Sequence, residues 1–294
     1  MTRTGLSCLW AIIFLIGNAP KAPAAELVSR GGYSWAESYE GFGGFSGLAM
    51  APDGASLLAV SDGGWLVRAR LSRDADGRLR GVTTEWRDRF RDNQGDPVND
   101  FKSDAEALAV TADGTAYVAF EGYTRIAAFH PPDMMPRPLH RWDRFKKHWG
   151  NEAFEGLIML PDGRLMAVLE EAHDGRYRTI LGRDHDWQAG PSIPAPDGYA
   201  ATDSTIGPDG RFYLLERRVT LTARFATRIR RFTLDDGGFG PGETLLETAQ
   251  GALGNMEGIS LWPDKDGRTV VTLIADDNFL PFQKTLLVEY DLAD

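Results

Sequence analysis

Three glutamates recur in one local context: Glu106-Ala107-Leu108, Glu155-Gly156-Leu157 and Glu257-Gly258-Ile259, each at the head of a short apolar segment. The equivalent places elsewhere hold Ser46 before Gly47-Leu48, and Thr202 with Asp203 beside it. A second set of acids closes the apolar segment that follows each time: Asp62, Glu121, Glu170 with Glu171, Glu216, and Asp276 with Asp277. Carboxylates gathered in such numbers repel one another unless cations neutralise them. Oxygen donors without thiols favour a hard cation, calcium in preference to zinc. Two basic residues stand beside these acids. Arg217 follows Glu216 directly and can grip a phosphate with two nitrogens, whereas Lys102, just ahead of Asp104-Ala105-Glu106, offers a point charge. Both suit a small anionic substrate; Arg217 could equally pair with the acids around it.

Other chemistries fall away. Cys8 is the only cysteine, so the body of the chain has no disulfide, thiolate zinc site or thiol nucleophile. Gly44-Phe45-Ser46-Gly47 is followed by Leu48 where a nucleophile elbow needs glycine. The histidines 130, 140, 148, 173 and 185 show no metal-ligand spacing, and there is neither a P-loop nor a dinucleotide fingerprint.

The elements that position the acids repeat. Each copy is an apolar strand, a Pro-Asp-Gly type of turn and a second apolar strand, as in Leu48-Ala49-Met50-Ala51-Pro52-Asp53-Gly54 before Leu57-Leu58-Ala59-Val60. Proline presets φ and glycine tolerates φ > 0, so the turn has a mechanism. The turn aspartates 53, 113, 162, 209 and 264 recur at intervals near 50 residues, the period of propeller blades. Alternating segments such as Thr124–Phe129 and Arg228–Thr233 bring each unit to about four strands. The chain is therefore expected to be all-β, a five-bladed propeller with six blades as the alternative. The residues after Asp264 and those from Glu26 to Asp53 together make one repeat. An N-terminal strand around Leu27–Trp35 should thus complete the last blade and close the ring. A hairpin whose first strand begins where its second ends then delivers both sets of acids to one mouth of the channel.

Arg3, the apolar run Leu9–Ile16 and the small residues up to Ala25 have the order of a secretory signal, too short to span a bilayer. Residues 1–25 are read as that signal and 26–294 as one domain, periplasmic or secreted. Its removal takes the net charge from −10 to −12 by losing Arg3 and Lys21. So acidic a body opposes nucleic acid and anionic membrane as partners.

The motifs Phe45-Ser46-Gly47-Leu48, Ala59–Gly64, Asp104–Val110, Phe154-Glu155-Gly156-Leu157, Leu214–Arg218, Met256-Glu257-Gly258-Ile259 and Ala275-Asp276-Asp277-Asn278 resemble the phytase-like domain family. That family is often labelled esterase-like activity of phytase, and the likeness runs from about residue 40 to 292. The resemblance implies an exported propeller with calcium-dependent phosphoester hydrolysis. On that reading calcium is held by Glu106, Glu155, Glu216, Glu257 and Asp276. Asp62 or Glu170 orients the attacking water, and Arg217 and Lys102 stabilise charge on phosphorus. Ser46 and Thr202 leave the carboxylate ring incomplete, a departure from true propeller phytases. A non-catalytic binding propeller with structural calcium, and a metal-dependent lactonase or carboxylesterase using Asn278, are the alternatives.

Overall fold

The computed structural model describes residues 25–148, 153–195, 198–220 and 224–293. All but Ala25 of the expected signal lies outside the described residues. The turns form as their residues dictate. Asp53, Asp113, Asp162, Asp209 and Asp264 each accept a hydrogen bond from the backbone N–H two residues on, at 2.9–3.1 Å. Gly54, Gly114, Gly163 and Gly210 then adopt φ between +66° and +84°, where a side chain would be strained.

Five antiparallel four-stranded blades follow in chain order. The first runs Phe45–Met50, Ser56–Ser61, Trp65–Arg73, Leu79–Arg89, and the second Ala105–Val110, Ala116–Phe120, Arg125–His130, Asp133–Pro138. The third is Phe154–Met159, Leu165–His173, Arg176–Arg183, Asp186–Ala189, with Ile193–Pro194 added to its third strand. The fourth is Ala200–Ile206, Phe212–Val219, Phe225–Phe232, Glu243–Glu247. The fifth takes Asn255–Pro263, Thr269–Asp276 and Leu286–Ala293, and its outermost strand is Glu26–Ser34 from the other end of the chain. That latch pairs from Glu26 with Ala293 to Ser34 with Leu286. Arg30 fastens it to Asp264 at 2.7 Å and Asp291 at 2.6 Å. The expected ring closure is thus present.

The first strands of the five blades neighbour one another around the ring, the first blade touching the fifth. Alternation along each strand sends apolar side chains to both neighbouring blades. Leu57 and Ala59 pack toward blade five, while Val60 packs toward blade two. Five apolar clusters therefore fill the five seams between blades, for example Ile126 with Leu157 and Phe212 with Ile158. Burial of these faces, not any one contact, holds the inner strands in place.

Candidate functional site

In every blade the ladder between first and second strands slips once, between Phe45 and Leu48, Ala105 and Ala107, Phe154 and Gly156, Ala201 and Asp203, and Met256 and Gly258. The extra residue is Ser46 (with Gly47), Glu106, Glu155, Thr202 or Glu257 in turn. A bulge re-aims a side chain at the sheet's end. Here four of the five, Thr202 excepted, line the channel mouth. The glycine of the Glu-Gly pairs has its own reason. A Cβ at Gly156 would come 2.5 Å from Ser204 Oγ in the next blade, and one at Gly258 would come 2.9 Å from Leu48 Cβ. The acid faces the channel, and the glycine lets the neighbouring blade close against it.

The mouth is a cavity of ≈ 430 Å³. Asp62, Asp104, Glu106, Glu121, Glu155, Glu170, Glu171, Glu257 and Asp276 line it, with Arg217 as the one cation among the lining residues. Ser46, Asn255 and Asn278 complete the wall, and neither histidine nor cysteine takes part. At the other end of the inner strands Met50, Val110, Met159 and Ile206 line a separate, mainly aliphatic cavity of ≈ 710 Å³, with Glu85 and Arg68 as its charged lining residues. The acidity belongs to one face.

The structure brings Asp62, Glu106, Glu155, Glu170, Arg217, Glu257 and Asp276 together, as the repeat pattern required. Glu216 is placed elsewhere. Strand register sets Glu216 opposite Ala201, the place that Ser61, Phe120, Leu169 and Ala275 occupy in their blades. Arg217, one residue on, therefore holds the position of Asp62, Glu121, Glu170 and Asp276. Glu216 points the other way and is fully buried. Its carboxylate accepts from Arg228 Nε at 2.8 Å, Arg230 Nε at 2.6 Å and the Tyr177 hydroxyl at 2.9 Å, so it is not on offer to a cation in the channel. Lys102 does not line the mouth either; it lies on a neighbouring cavity. Asp203 is a cross-blade staple, accepting from the Ile259 N–H at 2.8 Å, and Asp277 caps the Gly44 N–H at 3.0 Å.

Asp104 and Asn255 are site residues that the recurring glutamates did not single out. They occupy the same repeat position, two residues before Glu106 and Glu257, and that match was the available signal. Asp62, Asp104 and Glu106 each present an oxygen within 4.8 Å of the other two. Ser46 Oγ donates to Asp62 at 2.7 Å. Arg217 donates to Asn255 Oδ1 at 2.8 Å, to Glu257 Oε1 and, at 3.3 Å, to Glu170. Glu257 Oε2 is buried with no partner.

Burial raises these carboxyl pKa values, and neighbouring charge raises them further. Burial, then Asp276, Asp104 and Glu257, pushes Asp62 up to about 8. Burial, then Asp104 and Glu170, takes Glu121 to about 7. Glu257 reaches about 7 through burial although Arg217 opposes it, and Asp276 reaches about 6 through burial, with Asp277 adding to it. Glu106 and Glu155 are also raised well above the usual range, burial first and surrounding acids second. Burial alone would lower Arg217, but Glu257, Glu155 and Glu170 raise it.

A pH effect follows. In metal-stripped protein each raised carboxyl keeps its proton to a higher pH when folded than when unfolded. Between about pH 4 and the raised values the folded chain binds more protons, so stability falls as pH rises. The melting temperature in EDTA is expected to drop from pH 5 to pH 8 by on the order of 5 °C. Saturating calcium should remove most of that slope. A flat profile in EDTA would show that the mouth carboxylates ionise without penalty.

A family model described as Phytase-like: Esterase-like activity of phytase matches residues 40–279. No curated protein matches the chain. Among solved structures it is similar to an α-L-arabinofuranosidase from Podospora anserina in complex with cellotriose, at 11% identity and TM-score 0.52 over 90% of this chain and 97% of that one. The catalytic domain of a Coprinopsis cinerea GH62 α-L-arabinofuranosidase gives 12% and 0.52, over 91% and 97%. A Kuenenia stuttgartiensis hydrazine synthase gives 17% and 0.42, and this chain, matched over 86% of its own length, spans only 64% of it. At these identities the two arabinofuranosidase likenesses speak for the fold alone.

Proposed function

Because the chain belongs to the phytase-like family, esterase-like activity of phytase, we propose that it is an exported hydrolase that cleaves a phosphoester at the acidic mouth with the help of calcium. The observation that carries this reading is the mouth itself: nine carboxylates around one guanidinium, with no nitrogen or sulfur ligand among the lining side chains. The donor set fits a hard cation, which takes six to eight oxygens. Glu257 Oε2, buried and unpartnered, supports the fit, since such an oxygen calls for a positive charge or a proton. Glu106, Glu155, Glu257 and Asp276, all on the mouth, would hold the ion, with Asp62 and Asp104 joining Glu106. Calcium supplies charge neutralisation of the phosphate oxygens and a lowered pKa for bound water.

The chain's own residues then divide the work. Arg217 orients a phosphoryl oxygen and stabilises the charge that develops there. Glu170, held by Arg217 at 3.3 Å, and Glu121, close to neutral in its pKa, are the groups placed to take a proton from water. Asn255 fixes Glu257 at 2.7 Å. An exported setting suits the scheme, because millimolar-range calcium sites belong to extracellular modules.

The test is a melt of the protein lacking residues 1–25 in EDTA, then with calcium, magnesium or zinc, followed by a panel of phosphomonoesters. Calcium at about 100 times its Kd adds roughly 2.7 kcal/mol, several degrees of melting temperature. A calcium-specific rise lost in Glu257→Ala, with calcium-stimulated phosphate release, supports the reading. No shift with any metal ends it.

A further inference from the structure

Lys102, displaced from the mouth, opens a second site. It lies on a cleft of ≈ 400 Å³ between the loop 91–98 and the outer strands Arg125–His130 and Asp133–Pro138 of blade two. The floor is apolar: Val98, Ala127 and Phe129 lie buried beneath it, and the more exposed Pro136 and Pro138 give it accessible surface. Over it stand Arg91, Lys102 and Arg125, beside the indole of Trp142, which is 63% exposed.

The Arg125 guanidinium carries five N–H donors. Nη1 donates to the Tyr123 carbonyl at 3.1 Å and Nη2 to the Lys102 carbonyl at 2.6 Å, which orients the fork beside the cleft. Its carbon lies 3.7 Å from the centre of the Phe120 ring. Among the described residues no carboxylate pairs with Arg125 or Lys102, although the chain has 42 acids and 32 lysines and arginines. Arg91 meets a carboxylate at long range, Asp88 at 3.7 Å, and its Nη1 donates to the Gly95 carbonyl at 3.0 Å. Asp92, the acid in the cleft wall, spends itself on its own turn, accepting from the Gln94 and Asp96 N–H groups at 2.9 and 3.1 Å. His140 gives both ring nitrogens to backbone groups, at 2.9 and 2.8 Å. Burial draws Arg125 down to about 10, the mark of a cation left without an anion.

We propose that this cleft binds an aromatic oxyanion: a carboxylate or phosphonate-type group seated on Arg125 and Lys102, its ring over the apolar floor and against Trp142. The site is separate from the acidic mouth and does not depend on hydrolysis there. Arg supplies a bidentate grip, Lys a second charge, and the floor rewards a flat apolar body. A bare anion would forgo the floor, and a neutral ring would forgo both cations.

The test is calorimetric titration of the protein lacking residues 1–25, in EDTA, with phenylphosphonate, inorganic phosphate and benzyl alcohol. Phenylphosphonate resists phosphoester cleavage, so binding is read without turnover. It is expected to bind at least about tenfold tighter than either of the others, and Arg125→Gln to weaken it at least about tenfold. Lys102→Gln should weaken it several-fold. Equal affinity for phosphate and phenylphosphonate would overturn the aromatic part. Binding lost in Arg217→Gln but kept in Arg125→Gln would put the ligand in the mouth and sink the proposal. If Arg125→Gln fails to fold by circular dichroism, Lys102→Gln and Trp142→Ala decide, and unchanged affinity in both refutes the site.

Discussion

In the Arg217→Gln protein, calcium-stimulated phosphomonoesterase activity is expected to fall by about a hundredfold or more, while calcium stabilises the fold more than it stabilises the parent. The two effects have one origin. Arg217 is the cation among nine lining carboxylates, and it holds Glu257, Glu170 and Asn255. Without it those acids lose their internal counter-charge, and metal-free protein melts lower. An added cation then meets more uncompensated charge and binds more tightly. Catalysis goes the other way, because glutamine offers no charge to a phosphoryl oxygen in the transition state. The pair of readouts separates two roles that a single assay would merge. If activity survives and only the calcium-free melt falls, Arg217 is a structural counter-ion and the phosphate must be gripped elsewhere.

The assignment of Arg217 also shows where sequence reading succeeds and where it stops. Turn aspartates, a 50-residue period and the split last repeat were enough for five blades and the N-terminal latch, because each has a local cause in φ preference or hydrogen bonding. The mouth acids were legible for a similar reason: Glu-Gly recurs where a bulge and a close inter-blade approach coincide. Glu216 was not. Reading the last acid of the second strand as the rim residue assumes that the acid holds the same register position in every blade. In blade four the rim position carries Arg217, and the acid sits one residue earlier, on the opposite side of the strand. A shift of one residue reverses the face, and nothing in Leu214-Leu215 before the acid or Arg217-Arg218 after it marks the shift. Lys102 failed for a different reason. Two residues from Asp104 along the chain, it ends on another cavity, because the short 3-10 turn Asp100–Lys102 intervenes before the strand begins.

The displaced Glu216 gives the second large effect. Glu216→Ala is expected to cost about 3–5 kcal/mol and to lower the melting temperature by roughly 10 °C, with no rescue by calcium. The carboxylate is fully buried, and it answers two guanidinium groups at once, Arg228 and Arg230, each through two nitrogens. Removing it leaves two cations at 3% and 4% exposure with their shared anion gone. Tyr177 loses an acceptor in the same step, though its hydroxyl also donates to the Tyr199 carbonyl at 2.7 Å. A calcium ligand would behave in the opposite way. Its alanine variant would relieve repulsion, leave the metal-free melt level or higher, and abolish the calcium-induced shift. Melting Glu216→Ala and Glu257→Ala side by side, each in EDTA and in calcium, thus assigns both acids from one experiment. A Glu216→Ala protein that melts like the parent in EDTA but ignores calcium would return Glu216 to the channel and refute the register given for blade four. The expected outcome instead makes the strand Phe212–Val219 do two jobs on its two faces. Glu216 anchors the blade from within, and that anchor positions Arg217, one residue on, at the rim, where it bridges Glu257, Glu170 and Asn255.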